Sequence, residues 1–400
     1  MRVLVVDPPL FTLPYDRHFA RALAKRGAEV TLVGRPLRGF EDSLEAEPFR
    51  FLPLFYRRAE NARSEAWRTS APRRLLKGLE HVFGLRALER LCAAERPDVL
   101  HLQWLVLPLL DRWALRRIGR HAGLVLTVHD SIALQGAKNA SWAQLWGDRR
   151  SRLIFDRYVA HTEHTRERLR AIGVEDRKIS VVPHPLLPVG DPGAAAAPVA
   201  PGEGPEILFF GQIKPYKGVD VLVEAALRLA ARGCRFTVTV VGRPYEPLDA
   251  LQAKIEAAGA GTHFRFDLRH VPDDALAAYL ARADLVVFPY RHIDASGALT
   301  LAIAAGKPIV ATRVGVFAEP PNRDQLTLVP PDDPAALAEA LEPLVRDPAA
   351  REVLGQRVRH LQEGIPSWDR FAEACLGVYA GLDPRAPAPA QPEVAPQSSR

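Results

Sequence analysis

The 400-residue chain predicts an α/β protein of two doubly wound domains, each a parallel sheet with helices on both faces, separated by a cleft. Three observations carry this expectation. Short apolar runs alternate with amphipathic runs of helical spacing along most of the chain. A stretch rich in Pro, Gly and Ala, LLPVGDPGAAAAPVAPGEGP, divides that alternation into two halves. Finally, 400 residues exceed what one core usually supports, and 48% hydrophobic residues suffice to fill two.

In the first half, RVLVVD reads as a strand and DRHFARALAKRGA as an amphipathic helix stopped by Gly27. EVTLVG is the next strand. An arginine-rich helical region follows, then the strand DVLHLQW, the helix LPLLDRWALRRIGR and the strand GLVLTVHD. RYVAH, the helix TRERLRAIG and KISVVPHP close this half. In the second half EILFFGQI, RFTVTVVG, HFRFDL, DLVVFPY and PIVAT read as strands. GVDVLVEAALRLAARG, LDALQAKIEAAG, PDDALAAYLARA and SGALTLAIAAG read as the helices between them. Three helical segments then occupy Asp333 to Leu382. The expected division is a first domain over 1–185, a linker over 186–205 and a second domain over 206–365. A helix over 366–382 would cross back to the first domain, and 383–400 would be a disordered tail.

With 53 basic and 47 acidic residues the net charge of +6 is ordinary, but its distribution is uneven. Arg57, Arg58, Arg63, Arg68, Arg73, Arg74, Lys77, Arg86, Arg90 and Arg96 crowd one segment, interleaved with Trp67, Leu75, Leu76 and Phe83. Such a surface suits nucleic acid, an anionic membrane or an acidic substrate, and a solvated helix face is the plain alternative. No nucleic-acid-reading motif accompanies it, so nucleic acid is not an expected partner. Peripheral contact of the Arg57–Arg96 region with an acidic membrane surface is the expectation kept. Cys92, Cys234 and Cys375 lie far apart without CxxC spacing, against a zinc site or disulfide scaffold. MRVLVVDPPL reads as a first strand, not a signal peptide, and no run approaches the roughly 20 apolar residues of a membrane span. The expected location is the cytoplasm, at the inner face of the membrane where contact is made. The Asn139-Ala140-Ser141 sequon is then without meaning.

Two motifs carry chemistry. In ILFFGQIKPYKGVD a buried strand ends at Gly211, and Lys214 and Lys217 sit in the short loop before a helix. Lysines at a strand end, backed by the free amides of a helix's first turn, make an anion site, with phosphate the natural guest. Two ordinary exposed lysines are the competing reading. The second motif is DLVVFPYRHIDASGALTLAIAAGKPIVAT, where Ser296 is a good N-cap and Gly297 permits close approach to the backbone. That helix, with few charges, should be buried. Together the two suit a diphosphate. His129 ends the strand GLVLTVHD, where a buried structural histidine is common and is the reading the residues alone favour.

GQIKPYKGVD followed by DLVVFPYRHIDASGALTLAIAAGKPIVAT resembles the donor half of GT-B glycosyltransferases, specifically retaining family four. PDVLHLQW and LTVHD resemble that family's acceptor domain, and SVVPHP its interdomain crossing. The resemblance implies two Rossmann-like domains facing across a cleft, and transfer of a sugar from a nucleoside diphosphate to a saccharide or lipid-linked acceptor. It implies no cofactor beyond that co-substrate and no metal ion. The diphosphate would lie on Lys217, Lys214 and the Ser296–Gly297 amides, beside Gly211. The base would stack near Arg269 to Val271, and the sugar would reach His129. His184, His161 and His164 read as structural or hinge residues.

Three departures stand out. The family's glycines after the first strand are missing from DPPLFTLPYD. Gln212 stands where many members carry arginine, which leaves the phosphate charge to Lys214. The paired glutamates fall on Ile293 and Leu301, which leaves Thr300 for the ribose and Asp294 to face the sugar. The glutamate replacements keep open a non-catalytic sugar-nucleotide or glycan-binding protein.

Overall fold

The computed structural model describes residues 1–39, 41–60, 71–129, 147–190 and 199–382, the side chains of 71 and 74 excepted. Arg63, Trp67, Arg68, Asp130, the sequon, positions 191–198 of the expected linker and the tail over 383–400 lie outside them. The described chain forms two compact units, one of residues 1–129, 147–182 and 368–382 and one of residues 183–190 and 199–367.

The first unit is a parallel sheet of β1 (Arg2–Val6), β2 (Glu29–Gly34), β3 (Arg50–Pro53), β4 (Val99–Leu102), β5 (Gly123–Val128), β6 (Arg157–Ala160) and β7 (Ile179–Val181). Their order is β3-β2-β1-β4-β5-β6-β7. The helices are α1 (Leu13–Lys25), α2 (Ala71–Glu95), α3 (Pro108–Ile118), α4 (Asp148–Arg152), α5 (Glu163–Ala171) and, from the far end of the chain, α13 (Trp368–Ala380). The strands read as unbroken apolar runs because helices cover both faces. Val3, Val5, Val30, Leu32, Val99 and Val125 pack on one face with Phe19, Phe371 and Cys375. Their neighbours Leu4, Val6, Leu100, Leu102 and Leu124 pack on the other with Leu85, Leu88, Cys92 and Leu115. This is the two-residue period of a strand with apolar residues on both of its faces.

α13 belongs to this core by chemistry as well as by packing. The Tyr379 hydroxyl lies 2.5 Å from His101 Nδ1, and Nε2 of that ring lies 2.7 Å from the Thr127 hydroxyl. Burial pushes His101 down to about 3. In the neutral ring one tautomer satisfies both bonds, with Tyr379 donating to Nδ1 and Nε2–H donating to Thr127.

The second unit is a parallel sheet of β8 (Glu206–Phe210), β9 (Thr237–Val241), β10 (Phe264–Asp267), β11 (Leu285–Phe288), β12 (Ile309–Thr312) and β13 (Thr327–Val329). The order is β10-β9-β8-β11-β12-β13. α6 (Val219–Ala231), α7 (Asp249–Ala257), α8 (Asp273–Arg282), α9 (Gly297–Ala304), α10 (Asn322–Gln325), α11 (Pro334–Arg346) and α12 (Pro348–Gly364) surround it. In both sheets the winding direction reverses beside the first strand, between β1 and β4 and between β8 and β11. Open parallel sheets bind ligands beyond the carboxyl ends of their strands at such a switch point. The edge strands β3 and β13 have no counterpart in the elements expected from the sequence.

Candidate functional site

The loops that leave β8 and β11 flank the switch point of the second sheet, and both chemical motifs lie on them. β8 gives way to Gly211, whose φ of 112° a residue with a side chain rarely adopts. A Cβ on Gly242, at the end of β9, would lie 2.0 Å from the Gly211 carbonyl oxygen, so the two strand ends approach as closely as glycine allows. The loop then makes a single tight turn over Pro215–Lys217 and enters α6 through Gly218. There φ is 65°, and a Cβ would meet the Pro289 carbonyl oxygen at 2.0 Å.

This turn folds Lys217 back over the strand end. Its side chain is buried, and its ammonium stands 3.0 Å from where a Cβ on Gly211 would be and 5.0 Å from the Tyr290 ring centre. No carboxylate pairs with Lys217 among the described residues. Burial alone therefore acts on the ammonium and pushes it down to about 8. A buried cation lacking a counter-charge is the strongest local sign of an anion site. Lys214 is half-buried with its ammonium 5.3 Å over the Tyr245 ring, and Gln212 is exposed.

Arg291, on the second loop, holds the two loops together. Its backbone N–H donates to the Tyr216 carbonyl at 2.7 Å and its guanidinium to the Pro215 carbonyl at 2.5 Å. The same guanidinium forms a two-pronged pair with Asp220 in the first turn of α6, at 3.0 and 2.6 Å, and donates to Asp332 at 2.6 Å. His292 stacks on Tyr216 with ring centres 5.0 Å apart. Sequence reasoning missed Arg291 because its partners lie 41 to 76 positions away.

Beyond Arg291 the loop leads to the cap of α9. The Ser296 hydroxyl accepts from the Leu299 N–H at 3.2 Å, as an N-cap does. Gly297 is exposed, and a Cβ there would meet, among the described residues, Leu187 alone, at 3.5 Å, so a ligand can reach the first amides. The Thr300 hydroxyl donates to the Gly297 carbonyl at 2.8 Å, leaving its lone pairs to accept. Asp294 is buried. Ile293 is buried in the core and Leu301 packs on it in part. The Ile293 carbonyl would lie 1.5 Å from a Cβ on Gly315, which fixes that loop against its neighbour. Arg269 and Val271 stand two strands from β8, just past β10. The Arg269 guanidinium donates to Asp267 at 2.8 Å, Tyr279 donates to the other Asp267 oxygen at 2.9 Å, and Val271 is half-buried. The anchored, exposed guanidinium presents a flat face suited to stacking.

In the first unit, Asp7, Gln103, His129 and His161 each follow directly on a strand, forming a polar crest along the carboxyl edge of β1, β4, β5 and β6. His129 Nε2 lies 2.9 Å from Gln103 Oε1. Its ring stacks on Trp104 at 5.1 Å and meets Tyr15 edge-on at 4.9 Å. Asp7 accepts from the Thr12 N–H at 3.0 Å, and the Thr12 hydroxyl reaches Asp7 and Asp16 at 3.3 Å each. Burial raises both carboxyls, and Asp7 lifts Asp16 well above the usual range. Asp7 Oδ1 and Gln103 Nε2 are buried without hydrogen-bond partners among the described residues.

Comparison with known proteins decides the family. The model of glycosyl transferases group 1 matches residues 204–347 and that of glycosyltransferase family 4 matches 16–186. A D-inositol 3-phosphate glycosyltransferase of Kribbella flavida is 31% identical over 328 residues, 74% of each chain. This chain belongs to glycosyltransferase family four. A second D-inositol 3-phosphate glycosyltransferase, from Geodermatophilus obscurus, is 31% identical over 296 residues, which are 67% of this glycosyltransferase and 62% of that relative. Among solved structures, sucrose-phosphate synthase from Thermosynechococcus elongatus superposes with a TM-score of 0.71 at 18% identity, covering 96% of this chain and 99% of that one. HepE of Anabaena in complex with UDP and glucose gives 0.66 at 14%, covering 95% and 100%. At these identities the likeness is one of fold, and the fold is GT-B. Among the described residues no cluster of three or more His, Cys, Asp or Glu is placed to hold a metal ion, and no helix is long and apolar enough to cross a membrane.

Proposed function

We propose that this glycosyltransferase moves a sugar, with retention at the anomeric carbon, from a nucleoside diphosphate to a hydroxyl of a saccharide or lipid-linked acceptor. The observation that carries the reading is Lys217, a buried ammonium over a strand-end glycine at the switch point, with no carboxylate to neutralise it among the described residues. A diphosphate is the counter-charge it lacks. The exposed first amides of α9 and Lys214 supply further positive potential. The anomeric carbon–oxygen bond to the β-phosphate breaks as the acceptor oxygen attacks on the same face. The acceptor proton passes to the departing phosphate. The chain's part is to fix the donor and to stabilise charge on the leaving group.

Arg269 and Val271 are assigned to the base, Thr300 and Asp294 to ribose and sugar, and Gly211 to close approach of the phosphate. His129, oriented by Gln103, is assigned a hydroxyl of the sugar or acceptor. The named relatives act on a phosphorylated cyclitol, which makes a polyhydroxylated acceptor chemistry the first to try. A thermal-shift series with UDP, GDP, ADP, TDP and their sugars tests the reading. One nucleotide should raise the melting point in the wild type and fail to do so in Lys217→Ala. No shift with any of them, alone or with candidate acceptors, rejects it.

A second reading rests on Ile293 and Leu301, two apolar residues packed on the core where the family's glutamates fall. On that reading the chain binds a sugar nucleotide without transferring. Tight nucleotide binding with neither transfer nor donor hydrolysis across an acceptor panel would establish it.

A further inference from the structure

The outward face of α2 is apolar where the solvent face of a helix is ordinarily polar. Leu75, Leu79 and Phe83 follow one another at intervals of four, on one face, and are 69%, 52% and 64% exposed. Arg86 and Arg90 continue the same face and are exposed. α3 packs beside α2 and adds Leu110 and Trp113, 41% and 51% exposed, with the Arg117 guanidinium 4.8 Å over the Trp113 ring. The opposite face of α2 is conventional, with Leu85, Leu88 and Cys92 in the core.

The charges sort in the same direction. Every described acid of α2 is already engaged. Glu80 accepts from the Arg58 and Ala59 N–H groups, Glu89 pairs with Arg117, and Glu95 pairs with Arg50. Arg73 and Lys77 turn to Glu60, which Arg38 also joins. Exposed Arg86, Arg90, Arg116 and Arg120 have no carboxylate partner among the described residues. Among the described residues, the unpaired charges left outward on this face are therefore cationic, beside an apolar stripe.

We infer that this face, formed by α2 and α3, docks the protein on an anionic lipid bilayer. The leucines, Phe83 and Trp113 would enter the acyl boundary, and the unpaired arginines would meet lipid phosphates. A second copy fits less well, because a two-fold contact would bring together two patches whose unpaired charges are all positive. A nucleic acid would meet the arginines and leave Leu75, Leu79 and Phe83 in water. The inference stands apart from the donor chemistry, since none of these residues belongs to it.

Co-sedimentation of the full chain tests it, with vesicles of phosphatidylcholine alone or with about one-third phosphatidylglycerol. The wild type should bind the acidic vesicles and leave the neutral ones largely unbound. Arg86→Glu/Arg90→Glu and Leu79→Ser/Phe83→Ser should each weaken binding by about tenfold or more with unchanged melting points. Equal binding of wild type and both variants, or no binding to acidic vesicles, overturns the proposal. So does a dimer in solution that Leu79→Ser/Phe83→Ser dissolves while vesicles take up no protein, or retention by duplex DNA alone.

Discussion

Lys217 offers the sharpest test of the donor site because its burial makes the expected effect depend on pH. The ammonium titrates at about 8 against its usual 10.5, with desolvation as the cause. A bound diphosphate would restore the missing counter-charge and hold the proton. Above about pH 7 the diphosphate is itself fully ionised, so Lys217 governs the profile. Its charged fraction falls from about nine-tenths at pH 7 to about one-tenth at pH 9. The Kd of the nucleoside diphosphate, read by calorimetry, should then weaken about tenfold between those values. Lys217→Met should lose a charge-assisted contact of about 1.5–3 kcal/mol, or about 10- to 150-fold in Kd, and show a flat profile. Lys217→Arg should keep much of the affinity and also be flat, since guanidinium does not titrate there. The ligand-free protein supplies an independent check. Unfolding releases Lys217 to its usual pKa, so the unfolded state binds more protons between about 8 and 10.5, and stability rises with pH across that window. Lys217→Met should lack that rise. A wild-type Kd that stays constant to about pH 9, or a Lys217→Met profile with the wild-type slope, would refute the reasoning.

Other perturbations follow from the same geometry. Arg291→Ala should free the lysine loop from the loop after β11 and raise donor KM by about tenfold or more, with Arg291→Lys intermediate because it cannot bridge Asp220 with two prongs. Gly218→Ala should lower stability by about 1–3 kcal/mol in chemical denaturation, since φ is 65° and the new Cβ would strike the Pro289 carbonyl. Asp16→Asn addresses the buried carboxyl pair. The folded Asp16 pKa is raised, so the unfolded state releases its proton first, and stability falls as pH rises above the ordinary carboxylate range. The asparagine variant should melt higher than wild type near neutral pH, with the gain disappearing toward about pH 4. A gain that is the same at both pH values would remove the pair from consideration.

The strands were legible because burial on both faces leaves apolar residues at most positions in succession, as in EILFFG and GLVLTVHD. β3 and β13 were not, since RFLP and TLV are short edge segments that a neighbouring strand has to select. The lysine loop could be read because strand, glycine and helix start are all local features. Arg291 could not, because its role is to join residues 215, 216, 220 and 332, and nothing local in FPYRHID says so.

By itself the sequence determined the twofold α/β repetition, the strand-end position of Lys214 and Lys217, and the capped start of α9. Each follows from side-chain period or from backbone chemistry within a few residues. Tertiary structure alone decided which charges are neutralised. Arg73 and Lys77 are turned to Glu60, Arg86 and Arg90 are left in solvent, and Lys217 is buried without a carboxylate partner among the described residues. The physical reason is that charge pairing is a matter of distances between segments far apart in the chain. A run of arginines has no fixed electrostatic meaning until folding assigns each one a neighbour.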